Sequence, residues 1–156
     1  ANHIRSEREP AENLTTWVDE VMIFQDCICF RLGTLSRKIS RHYRDRIAEF
    51  NLTHSQFFIL AQVIEMEGAT PSQLAEKTFT DRATVTGLID RLERDGWVER
   101  RPGRGDRRTL RIYLSEKAKE HRDSFIALFN EINGSFIHRF TPNEWKQLQK
   151  LLSRLE

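Results

Sequence analysis

The chain has 156 residues, 38% of them hydrophobic and 10% aromatic, with a formal net charge of +2. That is enough apolar material for one compact core, and no run approaches the ~18 apolar residues of a membrane span. Two cysteines, Cys27 and Cys29, are too few for a disulfide scaffold. With no secretory leader visible at the start, the expected compartment is the cytoplasm.

Helical periodicity opens at Trp17. Apolar residues recur at Val21, Phe24, Ile28, Leu32, Leu35, Ile39, Tyr43, Ile47 and Phe50, which predicts one very long first helix, kinked near Gly33. Thr53-x-x-Gln56 forms a capping box for a second helix through Phe57, Leu60, Ala61 and Ile64, ended by Gly68. Thr70-Pro71-x-Gln73 repeats the device for a short third helix with Leu74 and Ala75 facing inward. Thr80 or Asp81 caps a fourth, whose Val85, Leu88, Ile89 and Leu92 fall at i, i+3, i+4, i+7, with Gly96 closing it. Residues 97–101 and 109–114 then alternate like paired strands around a turn-rich loop holding Arg104, Arg107 and Arg108. Ser115 opens a helix carrying Phe125, Leu128, Phe129, Ile132, Phe136 and Phe140. Thr141-Pro142-x-Glu144 opens a last one with Trp145, Leu148, Leu151, Leu152 and Leu155. The predicted fold class is mainly α with a small β-hairpin wing. A winged helix-turn-helix occupies 53–114, and the flanking helical regions 13–52 and 115–156 are expected to dimerise.

Charge is unevenly spread. Residues 82–111 hold nine arginines and no lysine against five acids, whereas residues 1–81 hold nine bases against twelve acids. A nearly neutral chain has gathered its positive charge in one helix-hairpin unit, as contact with phosphates requires. The fourth helix leaves Arg82, Thr84, Thr86, Gly87 and Arg91 on the face opposite its apolar stripe, a small and basic surface suited to a major groove. Ser72 and Gln73 stand at a helix start, where backbone N–H groups favour a phosphate. Double-stranded DNA is therefore the expected partner. The rival reading, a winged helix that docks protein, calls for an apolar face where this one is basic. No enzyme is expected: the five histidines lack metal-ligand spacing, Cys27-x-Cys29 supplies only two thiols, and no Gly-rich phosphate loop follows a strand. No metal or cofactor is expected either.

Three stretches carry a resemblance: Leu52-Thr53-x-x-Gln56, the run from Asp81 to Arg100, and Asp106-x-Arg108 followed by Leu114-Ser115-x-x-Ala118. Together they resemble the MarR family of bacterial transcription regulators, from about Leu14 to the end. The resemblance implies a repressor whose first and last helices interlock two subunits into a homodimer. Two recognition helices about 34 Å apart would then read an inverted repeat. It also places Ala83, Thr84 and Gly87 on the groove-facing surface, and maps the family's Asp-x-Arg onto Asp106 and Arg108. Arg107 or Arg108 is expected in the minor groove with Asp106 orienting it, and Arg104 on the backbone.

The resemblance further implies a signal, and two kinds are open. Cys29-Phe30-x-Leu32 with Ser36-Arg37 and Tyr43 is similar to the organic-hydroperoxide sensor branch, which makes Cys29 the reactive thiol and Tyr43 its hydrogen-bond partner. Fourteen residues at 1.5 Å each separate the two by about 21 Å along one straight helix, so they meet only across a dimer. Gly33 and His54 stand where that branch carries further tyrosines. The other signal is a small phenolic or anionic effector, in a cavity lined by Tyr43, His54, Phe57 and Arg41 or Arg44.

Overall fold

The computed structural model describes residues 27–103 and 108–155. They belong to two compact units, one ending at Ile39 and the other running from Ser40 to Glu156. Helix α1 (Ile28–Ile47) runs without interruption past Gly33. The Trp17, Val21 and Phe24 positions of the predicted first helix lie outside the described residues. Within the first unit, Arg37 donates to the Thr34 hydroxyl at 2.9 Å, and Ile28, Leu32 and Leu35 are exposed.

In the second unit, α1 gives way to a 3-10 turn (Ala48–Phe50), three residues short of the predicted α-helical end. Asn51, in the left-handed region with φ 54°, then reverses the chain. The order that follows is α2 (His54–Glu65), α3 (Pro71–Lys77), α4 (Arg82–Arg94), β1 (Val98–Pro102), β2 (Leu110–Leu114), α5 (Glu116–Ile137) and α6 (Pro142–Leu152).

Capping fixes most of these starts. Thr53, Thr70 and Thr141 each accept from the N–H three residues on, while Gln56, Gln73 and Glu144 reach back to the cap's own N–H. Each such box satisfies two backbone donors that a helix start otherwise leaves orphaned. Asp81, rather than Thr80, caps α4, and Gly96 follows its end with φ 76°. Ser115 caps α5 and also donates to the Gly96 carbonyl at 2.6 Å, tying the two helix ends together.

The core of this unit gathers side chains from α2, α3, α4, β2 and α5. Phe57, Leu60 and Val63 of α2 meet Leu74 of α3, the Val85, Ile89 and Leu92 stripe of α4, Ile112 and Leu114 of β2, and Phe125 of α5, all fully buried. Trp97 and Phe50 stand edge-on to Phe125, with centroids 5.4 and 4.7 Å away. Truncating such side chains costs roughly 2–5 kcal/mol each. Helix α6 is different: none of its residues is buried, and Leu151 is 55% exposed.

The hairpin is antiparallel, pairing Val98 with Leu114 and Pro102 with Leu110. Its inner edge is extended by the α2–α3 loop, where Gly68 N–H donates to the Ile112 carbonyl at 2.8 Å and Ile112 N–H to Ala69 at 2.9 Å. Gly68 holds φ 86°, and a Cβ there would meet the Tyr113 ring at 3.2–3.3 Å. Both conditions exclude a side chain at little cost. Gly68→Ala is expected to lower unfolding stability by more than about 1 kcal/mol, read as a lower urea midpoint at unchanged slope.

Candidate nucleic-acid interface

Because Val85, Leu88, Ile89 and Leu92 are buried, the opposite face of α4 must be presented. Arg82, Ala83, Thr84 and Arg91 are exposed there, with Thr86 and Gly87 half-buried. A Cβ at Gly87 would meet nothing within 4 Å, so the glycine leaves open space on this face rather than serving packing. The two threonine hydroxyl protons are already used. Thr84 donates to Asp81 Oδ2 at 2.6 Å, and Thr86 donates to the Arg82 carbonyl at 2.8 Å. What each offers outward is a methyl group and hydroxyl lone pairs, which suit a thymine methyl or a base amino donor.

Two clefts flank this face. One, about 670 Å³, lies between the start of α3, α4 and the root of the hairpin, with Ser72, Arg82, Thr86, Asp90, Arg100 and Arg108 on its walls. The other, about 620 Å³, lies between the start of α2 and α4, lined by Thr53, Ser55, Ala83, Thr84, Gly87, Leu88 and Arg91. Ser72 and Gln73 are both exposed, and the Gln73 carbonyl oxygen is committed to its capping box, accepting from Thr70 N–H at 2.9 Å. Its amide NH2 remains for an outside acceptor. Of the wing residues singled out in the sequence, Arg108 is exposed on the first cleft. Arg104, Asp106 and Arg107 lie outside the described residues.

The arginines divide into two groups. Arg94 pairs with Asp95 at 3.0 Å and Arg101 with Glu99 at 2.8 Å, while Arg111 donates to the Gly68 carbonyl at 2.8 Å. Arg100 bridges Asp90 and Glu93. Every acid from residue 82 to 103 is thus answered locally. Arg82 and Arg91 have no side-chain partner among the described residues and stand exposed on the α4 face. The sequence count could not make this division, since it needs to know which side of α4 each arginine leaves from.

The sensing candidates fall differently. Cys29 is exposed, and Cys27 is half-buried. Tyr43, His54 and Phe57 come together, but as packed core: Tyr43 is edge-on to His54 at 5.7 Å and 6.0 Å from Phe57, and only 3% exposed. Burial raises the tyrosine's pKa, and burial followed by Arg44 holds His54 below the ordinary imidazole value. Arg41 and Arg44 point into solvent. The open apolar cleft lies instead between α2 and α5. It measures about 450 Å³ and is walled by Phe57, Phe58, Ile64, Ile126 and Phe129, with Arg122 and Glu65 at its rim. Gln62 lines it too, and its Oε1 is buried without a hydrogen-bond partner among the described residues. No periodicity argument marks that oxygen in advance.

Among the described residues no helix is long and apolar enough to cross a membrane, and no cluster of three or more ligating side chains could hold a metal ion.

A helix-turn-helix with a two-stranded wing defines the class of fold, and comparison with known proteins finds the same arrangement among transcriptional regulators. The sequence profile of the MarR family matches residues 52–110. The HTH-type transcriptional regulator TtmR of Methylorubrum extorquens is 28% identical over 74% of this chain, which spans 60% of that protein's length. The organic hydroperoxide resistance transcriptional regulator of Bacillus subtilis is 25% identical, over 86% of this chain and 90% of its own. A probable transcriptional regulator from Pseudomonas aeruginosa superposes with a TM-score of 0.74 at 27% identity, over 86% of this chain and all of that one. Reduced AbfR bound to DNA superposes at 0.65 with 25% identity, over 81% and 87%. Residues 52–110 are thus similar to the MarR family, and the relatives found are named as transcriptional regulators.

The α4 cap is itself testable. The Thr84 hydroxyl and N–H, bonded to Asp81, hold its carboxyl below the ordinary carboxylate range. With the folded value depressed, the stabilising contribution is present above about pH 3.9 and lost as pH falls through the folded value. The melting-temperature gap between the chain and Asp81→Ala is therefore expected to be widest near neutral pH and to close in strong acid.

Proposed function

We propose that the chain is a homodimeric repressor of transcription that grips an inverted repeat of duplex DNA and releases it on a chemical signal. One observation carries the reading: the face of α4 opposite its buried stripe is small and basic, and it shares a cleft with the start of α3 and the hairpin root. Arg82 and Arg108 line that cleft and Arg91 lines the neighbouring one, which puts cations on both sides of the small α4 face for phosphate contact. Ala83, Thr84, Thr86 and Gly87 let backbone approach the base edges, with Ser72 and Gln73 at a phosphate, Arg107 or Arg108 in the minor groove oriented by Asp106, and Arg104 on the DNA backbone. Cytoplasmic location follows from that role.

The dimer reading rests on apolar surface left uncovered. Leu151, Leu152 and Leu155 near the chain's end, and Ile28, Leu32 and Leu35 in α1, are between 39% and 61% exposed. Exposed leucines and isoleucines at that density mark a surface meant for burial. A second copy supplies the cover and doubles the recognition helices.

Two signals have a physical basis here. The α2–α5 cleft suits an aromatic acid, with rings against phenylalanines, its carboxylate near Arg122 and a hydroxyl donating to Gln62 Oε1. Cys29, exposed in the first turn of α1, suits attack on a hydroperoxide. Its thiolate would take the terminal oxygen, leaving a sulfenic acid on Cys29 and an alcohol as product. With Cys27 badly placed for a disulfide on the same helix, an external thiol would have to reverse the change.

Two outcomes are expected from fluorescence anisotropy on duplex taken upstream of the chain's own gene. Binding weakens steeply with salt, and Arg82→Ala both weakens it and lowers the slope of log affinity against log salt by about 0.9; a salt-independent affinity rules DNA out as the partner. If Cys29 is the sensor, one equivalent of an organic hydroperoxide abolishes binding by the unaltered chain, dithiothreitol restores it, and Cys29→Ser is indifferent. An unaltered affinity after peroxide assigns the signal to the cleft.

A further inference from the structure

One cluster joins α4 to the hairpin at the edge of the surface described so far. Asp90 and Glu93 are one helical turn apart, and both reach the same residue of the first wing strand. Arg100 Nη2 lies 2.5 Å from Asp90 Oδ1, its Nη1 pairs with Glu93 Oε2, and its backbone N–H donates to Glu93 Oε1 at 3.1 Å. The Arg100 side chain is 19% exposed, against 59% for Asp90 and 38% for Glu93. A planar guanidinium held by two carboxylates, with a main-chain bond beside it, fixes orientation as well as distance.

The placement of this cluster matters more than its strength. Arg100 pairs across the hairpin with Ile112, so what holds it also holds β2, the strand entered from Arg108. The hairpin is also held here by its own ladder, by the backbone hydrogen bonds of Ile112 to Gly68 and Ala69 and by the packing of Val98, Ile112 and Leu114, but among the described residues the clamp is what joins β1 to α4 by side-chain ion pairs. The cleft between α4 and the hairpin root includes Asp90 and Arg100 on its wall but not Glu93. Glu93 therefore tightens the clamp from behind, away from where a phosphate would lie.

We propose that Arg100 is a positioning residue: clamped by Asp90 and Glu93, it sets the angle between the recognition helix and the wing, and so the wing's reach into the minor groove, without touching DNA itself. The inference rests on the DNA-binding reading above. It makes a counter-electrostatic prediction. Removing an acid from a DNA-binding surface strengthens binding on charge alone, whereas loosening this clamp weakens it.

The test compares the full chain with Glu93→Gln and Arg100→Met, both close in size to the originals. Each is assayed below its melting point, as fixed by far-UV circular dichroism, on the duplex upstream of its own gene. Glu93→Gln is expected to bind about three- to tenfold more weakly. Arg100→Met is expected to lose as much or more, with the salt slope unchanged. At saturating protein, hydroxyl-radical protection should persist where α4 lies and fade where the wing lies, a pattern that a general loss of stability does not produce. Glu93→Gln binding as tightly as the unaltered chain, or tighter, overturns the proposal. So does a fall of about 0.9 in the Arg100→Met salt slope, which would make Arg100 a phosphate ligand. If the unaltered chain shows no salt-dependent duplex binding, the DNA reading itself fails and this inference goes with it.

Discussion

Burial of one stripe on α4 governs what the rest of the molecule can do. Val85, Ile89 and Leu92 are sealed against Leu60, Val63, Leu74, Ile112 and Leu114, and rotating the helix by even one residue would expose part of that stripe at roughly 1.5–3 kcal/mol per side chain. With the buried side fixed, the outward side is fixed as well. Asp81 pins one end through Thr84, and Gly96 with Ser115 pins the other. The orientation of Arg82, Ala83, Thr84, Thr86, Gly87 and Arg91 thus follows from apolar packing several ångströms beneath them.

Charge adds a second layer to this scaffold. Among the described residues, Arg94, Arg100 and Arg101 neutralise carboxylates and Arg111 caps a loop carbonyl, and such exposed pairs contribute little stability one by one. Their collective effect is to cancel acids that would repel a phosphate, leaving Arg82 and Arg91 to set the sign of the α4 face. Arg100 differs from Arg94 and Arg101 in bridging two elements rather than near neighbours in sequence. The wing is therefore held by ion pairs as well as by packing and backbone hydrogen bonds, whereas α4 is oriented chiefly by packing.

Much of this was legible in the residues because the signals are local. Thr-x-x-Gln and Thr-x-x-Glu boxes, the i, i+3, i+4, i+7 stripe and the alternation of the strands each depend on neighbours within one or two turns. What the sequence could not assign depends on distant partners. The choice between Thr80 and Asp81 as cap was settled by which side chain reached the Thr84 N–H. Tyr43, His54 and Phe57 read as cavity lining and do meet, but of the three Phe57 borders the open cleft, while Tyr43 is packed beside half-buried His54. The open cleft lies between α2 and α5, where Phe58, Ile64, Ile126 and Phe129 join Phe57 on its walls. Arg100 reads as one more arginine in a basic run, since nothing within five residues of it distinguishes a bridge from a phosphate ligand.

In the proposed dimer, two copies of this chain present their α4 faces to one duplex. Hydroxyl-radical footprinting on the DNA upstream of its own gene tests it most directly. The account predicts two protected major-groove segments, one helical turn of about 10 base pairs apart and related by an inverted repeat, with wing protection in the minor groove beyond each. A single protected segment, or uniform protection with no phase, would contradict it.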